Sequence, residues 1–150
     1  MKRRYSLILF FLILIWFLGI FIEWFTKIDE HFVLVFPYLQ KTYSLVCHQE
    51  KNKLLLFGGA ETLTCARCTG IYLGLLLSSF IVLIKLSKWK LHINILLIAA
   101  APMMVDVLFT SLNIYNYSKF IAFSTGLLLG STGFFYLYAG LNDLILEFKK

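Results

Sequence analysis

The chain has 150 residues, which is enough for one domain but not for two. Hydrophobic residues make up 60% of it and charged residues 15%, whereas about 45–50% and about 25% are usual in soluble domains. This composition excludes a disordered chain and a small soluble domain, because neither could keep so much apolar surface from water. The net charge of +6 does not indicate nucleic-acid binding, because the basic residues lie between long apolar runs and there set membrane orientation. We therefore expect an integral membrane protein surrounded by the lipid bilayer.

Four apolar runs are each long enough to cross about 30 Å of hydrocarbon, which takes roughly 20 residues in a helix. They cover residues 5–24, 69–86, 93–112 and 120–141. The sequence therefore predicts an all-α fold, in which residues 1–150 form a single membrane domain built as a four-helix transmembrane bundle. A long, partly apolar outer loop, residues 26–68, is expected between the first two spans. A broken fifth span near residues 31–48 is the competing topology, but it would place Gln40 and Lys41 in the bilayer.

Orientation follows from the distribution of Lys and Arg. The first apolar run follows three basic residues, but it is too long for a signal peptide and no small-residue cleavage site follows it, so we expect an uncleaved anchor. Basic residues are densest in the two tails and in the loop between the second and third spans. The positive-inside rule therefore predicts that both termini are cytoplasmic, in the bacterial cytoplasmic membrane.

The most informative residues are the cysteines, all three of which lie between positions 47 and 68. Cys65 and Cys68 form a C-x-x-C motif at the start of the second span, a spacing that allows two sulfurs to bind one metal ion or to form a disulfide. Cys47 and His48 could complete the ligand set. The sequence thus predicts a metal site of Cys47, His48, Cys65 and Cys68, for which zinc fits better than copper or iron. Cysteines that act only as small buried apolar residues are the ordinary alternative.

A second feature is Asp106, which lies well inside the third span. A carboxylate is unfavourable there unless it is paired or solvated, so we predict that Asp106 faces the bundle interior and is the candidate catalytic base. A protonated Asp106 that bonds a neighbouring helix is the alternative. Its expected partners, which would form an outward-opening polar pocket with it, are Asn113, Asn116 and Thr125.

Two pairs of glycines have the four-residue spacing of helix packing faces: Gly70 with Gly74, and Gly126 with Gly130. They serve either packing within the chain, or self-association and docking to other membrane subunits.

The stretch Cys47-His48-Gln49, followed by CARCTGIYLG at residues 65–74, resembles the bacterial and archaeal membrane family catalogued as domain of unknown function 2085. Pro102, Asp106, Thr125 and Gly126 match later positions of the family pattern. The resemblance covers about residues 40–135 and implies a similar size and number of spans. It supports the site but implies no reaction.

Three functions stay open at this point. In the first, a metal ion with a structural role is bound at the extracytoplasmic face and holds the outer loop against the bundle. In the second, the chain is a quinone-linked thiol–disulfide oxidoreductase in which Cys65 and Cys68 react and Cys47 is a shuttle. In the third, it is an accessory subunit of a larger membrane complex.

Overall fold

A computed structural model describes residues 3–85, 92–112 and 114–147 of the chain. The helices are α1 (Arg3–Gly19), α2 (Ile22–Thr26), α3 (Phe36–Ser44), α4 (Ala66–Lys85), α5 (Ile93–Ser111) and α6 (Lys119–Glu147). Two short 3₁₀ helices, Glu30–Leu34 and Lys51–Lys53, and an antiparallel hairpin of β1 (Leu54–Phe57) and β2 (Ala60–Cys65) lie between α2 and α4. The fold is therefore mostly helical rather than all-α.

Three helices in the described part of the chain are long and apolar enough to cross a membrane: Ala66–Ile84, Ile93–Ser111 and Lys119–Leu144. They correspond to the predicted second, third and fourth spans. The predicted first span, 5–24, is not confirmed, because α1 ends at Gly19 and the backbone turns before α2 begins. The 17 residues of α1 rise about 26 Å, which is less than the roughly 30 Å of a hydrocarbon core.

Residues 22–65, which we call the cap, are folded, so the prediction of a long outer loop is not confirmed. Their core consists of Ile22, Tyr43 and Leu63, which pack with Ile20 at the end of α1, and all four residues are buried. The hydroxyl of Tyr43 donates a hydrogen bond to the carbonyl of Trp16, and the N–H of Leu63 donates to the carbonyl of Ile20 at 3.0 Å. These bonds join α3 and β2 of the cap to the end of α1.

The hairpin of the cap turns at Gly58 and Gly59, whose φ angles are +58° and +78°. Two consecutive residues with positive φ are typical of the tight turns that match the twist of a hairpin, and glycine adopts them without strain. Leu54 pairs with Cys65 in the resulting register. The hairpin therefore ends with Cys65 directly before the start of α4.

The closest helix contact is between α4 and α6. The glycines that line it are Gly70, Gly74, Gly126 and Gly130. A Cβ atom on Gly70 would collide with the carbonyl oxygen of Phe123, and one on Gly126 would collide with that of Arg67. The glycine faces are thus used for packing inside the chain, which removes the observation behind self-association or subunit docking through them.

Candidate metal centre

Three sulfur atoms meet where the cap joins α4. Cys65 ends β2, Cys68 lies on the first turn of α4, and Cys47 follows α3. Their Sγ atoms all lie within 4.8 Å of one another, and we call these three residues the cysteine cluster. Cys47 is buried, and its sulfur accepts a hydrogen bond from the backbone N–H of Cys65 at 3.2 Å. The structure therefore brings the C-x-x-C motif and Cys47 together.

The cysteine cluster favours a thiolate at Cys47. Hydrogen bonds from the thiols of Cys65 and Cys68 hold the pKa of Cys47 well below its ordinary value. The same contact with Cys47 raises the pKa of Cys65. All three cysteines are free rather than disulfide-bonded. Because metal ions bind thiolates, a deprotonated sulfur beside two further sulfurs is suited to a soft metal ion.

His48 does not join the cysteine cluster. Its side chain is exposed, although its neighbour Cys47 is buried. The next residue, Gln49, has a φ of +49° and donates side-chain hydrogen bonds to the carbonyls of Leu63 at 2.9 Å and Gln40 at 3.3 Å. Gln49 thus fixes this segment between α3 and β2 with Cys47 facing inward and His48 outward. The structure assembles three of the four predicted ligands.

Asp106 faces the protein interior. It is 4% exposed and is the buried residue of α5, every residue of which the structure describes. One carboxylate oxygen forms an ion pair with Arg67, and the other accepts a hydrogen bond from the hydroxyl of Tyr115. The carboxylate is therefore paired and hydrogen-bonded, as a buried charge must be.

The expected partners of Asp106 are not the observed ones. Thr125 is buried, but its hydroxyl donates to the carbonyls of Ile121 at 3.0 Å and Ala122 at 3.1 Å in its own helix, the usual pattern for a helical threonine. Asn116 is exposed, and Asn113 lies outside the described residues. Among the described residues, an arginine and a tyrosine satisfy the carboxylate in place of Thr125 and Asn116.

Arg67 and Tyr117 were missed as site residues. The guanidinium carbon of Arg67 lies 5.9 Å from the centre of the Tyr117 ring, and the ammonium of Lys53 lies 5.6 Å from it. Arg67 could have been found, because it stands between Cys65 and Cys68 at the same end of the bundle as Asp106. No sequence signal distinguishes Tyr117, which lies in the connection between α5 and α6.

The chain is similar to a family of membrane proteins and to two uncharacterised archaeal proteins. A model of the family described as "Predicted membrane protein (DUF2085)" matches residues 47–136, which include the cysteine cluster and Asp106. An uncharacterised protein of Methanocaldococcus jannaschii is 32% identical over 155 aligned positions, which cover 99% of this chain and 98% of the relative. An uncharacterised protein of Methanothermobacter thermautotrophicus is 34% identical over 109 positions, 70% of this chain and 95% of the relative.

No solved structure matches the chain. Both of these relatives are archaeal, so they give no support to the expected bacterial membrane. The resemblance that the cysteine and glycine motifs indicated is confirmed over more than half of the sequence and by a relative that covers nearly all of it. The chain belongs to the DUF2085 family of membrane proteins.

Proposed function

We propose that this membrane protein binds one metal ion, zinc in the first place, through the thiolates of Cys47, Cys65 and Cys68. The observation that carries the proposal is the mutual separation of the three sulfurs, which is at most 4.8 Å. Around a tetrahedral zinc ion with sulfur–zinc distances of about 2.3 Å, two sulfurs lie about 3.8 Å apart. Small side-chain movements are therefore enough for the cysteine cluster to close on an ion.

The chemistry of the ligands narrows the choice of metal. Thiolates select zinc, copper(I) or iron over magnesium and calcium, which prefer oxygen ligands. With His48 exposed, the cysteine cluster supplies three ligands and leaves a fourth tetrahedral position for a ligand from outside this set. Zinc is the preferred ion because it accepts three protein ligands and one exogenous ligand.

The position of the cysteine cluster supports a structural role for the ion. Cys47 belongs to the cap, whereas Cys68 belongs to α4, so a shared ion joins the cap to the membrane helices. Metal-binding free energy then stabilises the folded cap. Asp106 is already bonded to Arg67 and Tyr115, which favours a role in positioning α5 over the role of catalytic base.

One observation favours a second candidate, thiol–disulfide exchange. The low-pKa sulfur of Cys47 lies within reach of both sulfurs of the C-x-x-C motif. In this alternative, the Cys47 thiolate attacks a Cys65–Cys68 disulfide, forms a new disulfide with one sulfur and releases the other as a thiolate. An external dithiol then reduces the new disulfide and itself becomes a disulfide, which leaves all three cysteines reduced. A quinone would take up the two electrons and two protons when Cys65 and Cys68 are reoxidised to a disulfide.

Metal analysis of the detergent-purified full chain separates the two candidates. We expect about one zinc per chain by mass spectrometry, lost in Cys47→Ser, Cys65→Ser and Cys68→Ser because serine is a poor zinc ligand. His48→Ala is the matched control and should keep the metal, since this side chain is exposed. Metal-free protein with a Cys65–Cys68 disulfide would overturn the metal proposal in favour of thiol–disulfide exchange.

We also propose that α1 crosses the membrane as a fourth span, that the metal centre lies at the extracytoplasmic face and that both termini are cytoplasmic. The support is the density of basic residues in the tails and in the α4–α5 connection, as the positive-inside rule requires. Several of these residues lie outside the described part of the chain: Lys2, Lys88, Lys90, Lys149 and Lys150.

A further inference from the structure

Two hydrogen-bond donors near the cysteine cluster are buried without a partner in the described part of the chain. They are Nε of Arg67 and the hydroxyl of Tyr117. Buried donors are nearly always paired, and an unpaired one indicates an acceptor that belongs at the site. The two side chains adjoin each other, because the guanidinium of Arg67 lies over the Tyr117 ring. One acceptor group placed between them would therefore satisfy both.

These donors lie beside the cysteine cluster. Arg67 stands between Cys65 and Cys68 in the chain, where α4 begins. The centre of the Tyr117 ring lies 5.9 Å from the guanidinium carbon of Arg67, so both donors stand next to the C-x-x-C motif. A phenol keeps its proton at neutral pH and can donate it in a hydrogen bond. An acceptor bound there is adjacent to the metal position of the proposed function.

Outside the cysteine cluster, the charges near the two donors leave one cation without a counter-ion. The cation nearest the Tyr117 ring, Lys53, is paired with Glu50 at 2.7 Å, and Arg67 is paired with Asp106 through its Nη2 atom. Lys119 donates to the carbonyl of Leu54 at 2.6 Å, a neutral acceptor that leaves its positive charge unmatched by this contact. Three thiolates on a divalent ion carry a net negative charge, and the charge of Lys119 offsets it.

We propose that a small oxygen anion, either hydroxide derived from water or a carboxylate, occupies the fourth metal position and is held by Tyr117 and Arg67. This inference rests on the proposed metal centre. An anionic oxygen accepts hydrogen bonds from both donors and completes a four-coordinate site with three sulfurs and one oxygen. Three protein ligands and an exogenous one then account both for the exposed position of His48 and for the two unpaired donors.

The test uses the full chain in detergent, loaded with Co²⁺ in place of zinc, because the visible bands of Co²⁺ report its ligands. Acetate is titrated at constant pH, and the pH is then varied without acetate. A carboxylate site shifts its bands with acetate, whereas a hydroxide site shifts them with pH alone. In either case, Tyr117→Phe should weaken the binding of the oxygen anion about 5- to 10-fold, the effect of one lost hydrogen bond.

Two further variants sharpen the test. Arg67→Lys keeps the positive charge beside Asp106 but lacks Nε. It should therefore weaken the binding of the oxygen anion, as Tyr117→Phe does. Tyr38→Phe is the matched control, since Tyr38 is exposed, and it should leave both titrations unchanged.

The failure of this inference differs from the failure of the metal proposal. If His48→Ala alters the Co²⁺ bands and Tyr117→Phe does not, His48 is the fourth ligand and the inference is overturned while the metal centre stands. If Tyr117→Phe and Arg67→Lys both match the wild type in both titrations, no oxygen anion is held there. If the wild-type chain binds no Co²⁺, the metal centre itself fails.

Discussion

Arg67 and Asp106 form an ion pair that joins the first turn of α4 to the C-terminal half of α5. Arg67 also lies between the two cysteines of the C-x-x-C motif, so four consecutive residues at the junction of β2 and α4 include two candidate metal ligands and the partner of the buried carboxylate. α5 packs mainly against α6, and its remaining surface is largely exposed. This ion pair therefore joins α5 directly to the end of α4 that holds the cysteine cluster.

Asp106→Leu should be strongly destabilising. It leaves the charge of Arg67 partly buried without its partner, which typically costs about 3–5 kcal/mol. Asp106→Asn should cost less, because the amide oxygen still accepts a hydrogen bond. Thermal unfolding in detergent measures both. The double variant Arg67→Met/Asp106→Leu should recover part of the loss, and a double variant less stable than Asp106→Leu alone would contradict this account of the pair.

Gly130→Ala and Gly133→Ala form a matched pair on α6. A Cβ on Gly130 would collide with the backbone of Ile71 in α4, whereas a Cβ on Gly133 meets nothing within 4 Å. We expect Gly130→Ala to lower the free energy of unfolding by about 1–3 kcal/mol, the usual cost of overpacking. Gly133→Ala should be neutral or slightly stabilising, because alanine favours a helix. Equal effects of the two would show that the α4–α6 contact is not as close as described.

Tyr43→Phe tests how the cap is attached to α1. The variant removes the hydrogen bond from the Tyr43 hydroxyl to the carbonyl of Trp16 but keeps the ring in the core. The expected loss is about 1 kcal/mol of stability, measured by chemical or thermal unfolding. Tyr38→Phe, which changes an exposed tyrosine of the same helix, should have no effect.

Metal removal should loosen the cap while the membrane helices stay inserted. A strong chelator, or Cys68→Ser, should make residues 26–65 sensitive to added protease, because the ion that joins Cys47 to α4 is lost. Cleavage sites are read by mass spectrometry. His48→Ala should remain as resistant as the wild type. Under thiol–disulfide exchange the cap would stay resistant in Cys68→Ser, and only redox activity would be lost.

Orientation is tested with a fluorescent protein that matures only in the cytoplasm, fused after Lys150. If the C-terminus is cytoplasmic, the fusion should be fluorescent and, in intact cells, protected from external protease. A non-fluorescent fusion that is made in normal amount would show the opposite orientation, in which the metal centre lies at the cytoplasmic face.

The sequence was sufficient for the three apolar helices and for the grouping of the cysteines. Two sulfurs three residues apart at the start of a helix lie near each other whatever the rest of the fold does, so Cys65 and Cys68 could be paired from spacing alone. The partner of Asp106 could not be found in this way. The expected partner, Thr125, lies in α6, whereas the observed partner, Arg67, lies in α4. Which of these helices faces Asp106 depends on how the helices pack.

Long-range packing also explains where α1 differs from the predicted first span. The first apolar run is continuous in sequence, but α1 ends at Gly19, where a Cβ would lie 2.5 Å from the hydroxyl oxygen of Tyr43. α1 thus ends at a contact with Tyr43 of α3, and no local sequence pattern predicts this contact. The hairpin carried a local signal in Gly58 and Gly59, but Leu54–Phe57 is uniformly apolar and lacks the alternation that identifies a half-buried strand.

The contact between α4 and α6 has a consequence for biosynthesis. α6 packs against both α4 and α5 and follows both in the chain, so neither has its main helical neighbour until α6 has been translated and inserted. The cysteine cluster, by contrast, is complete once Cys68 has left the ribosome. Because chains fold as they emerge, the sulfurs can meet an ion while the membrane bundle is still open. Under the proposed function, an ion would therefore bind before the glycine-lined contact between α4 and α6 forms.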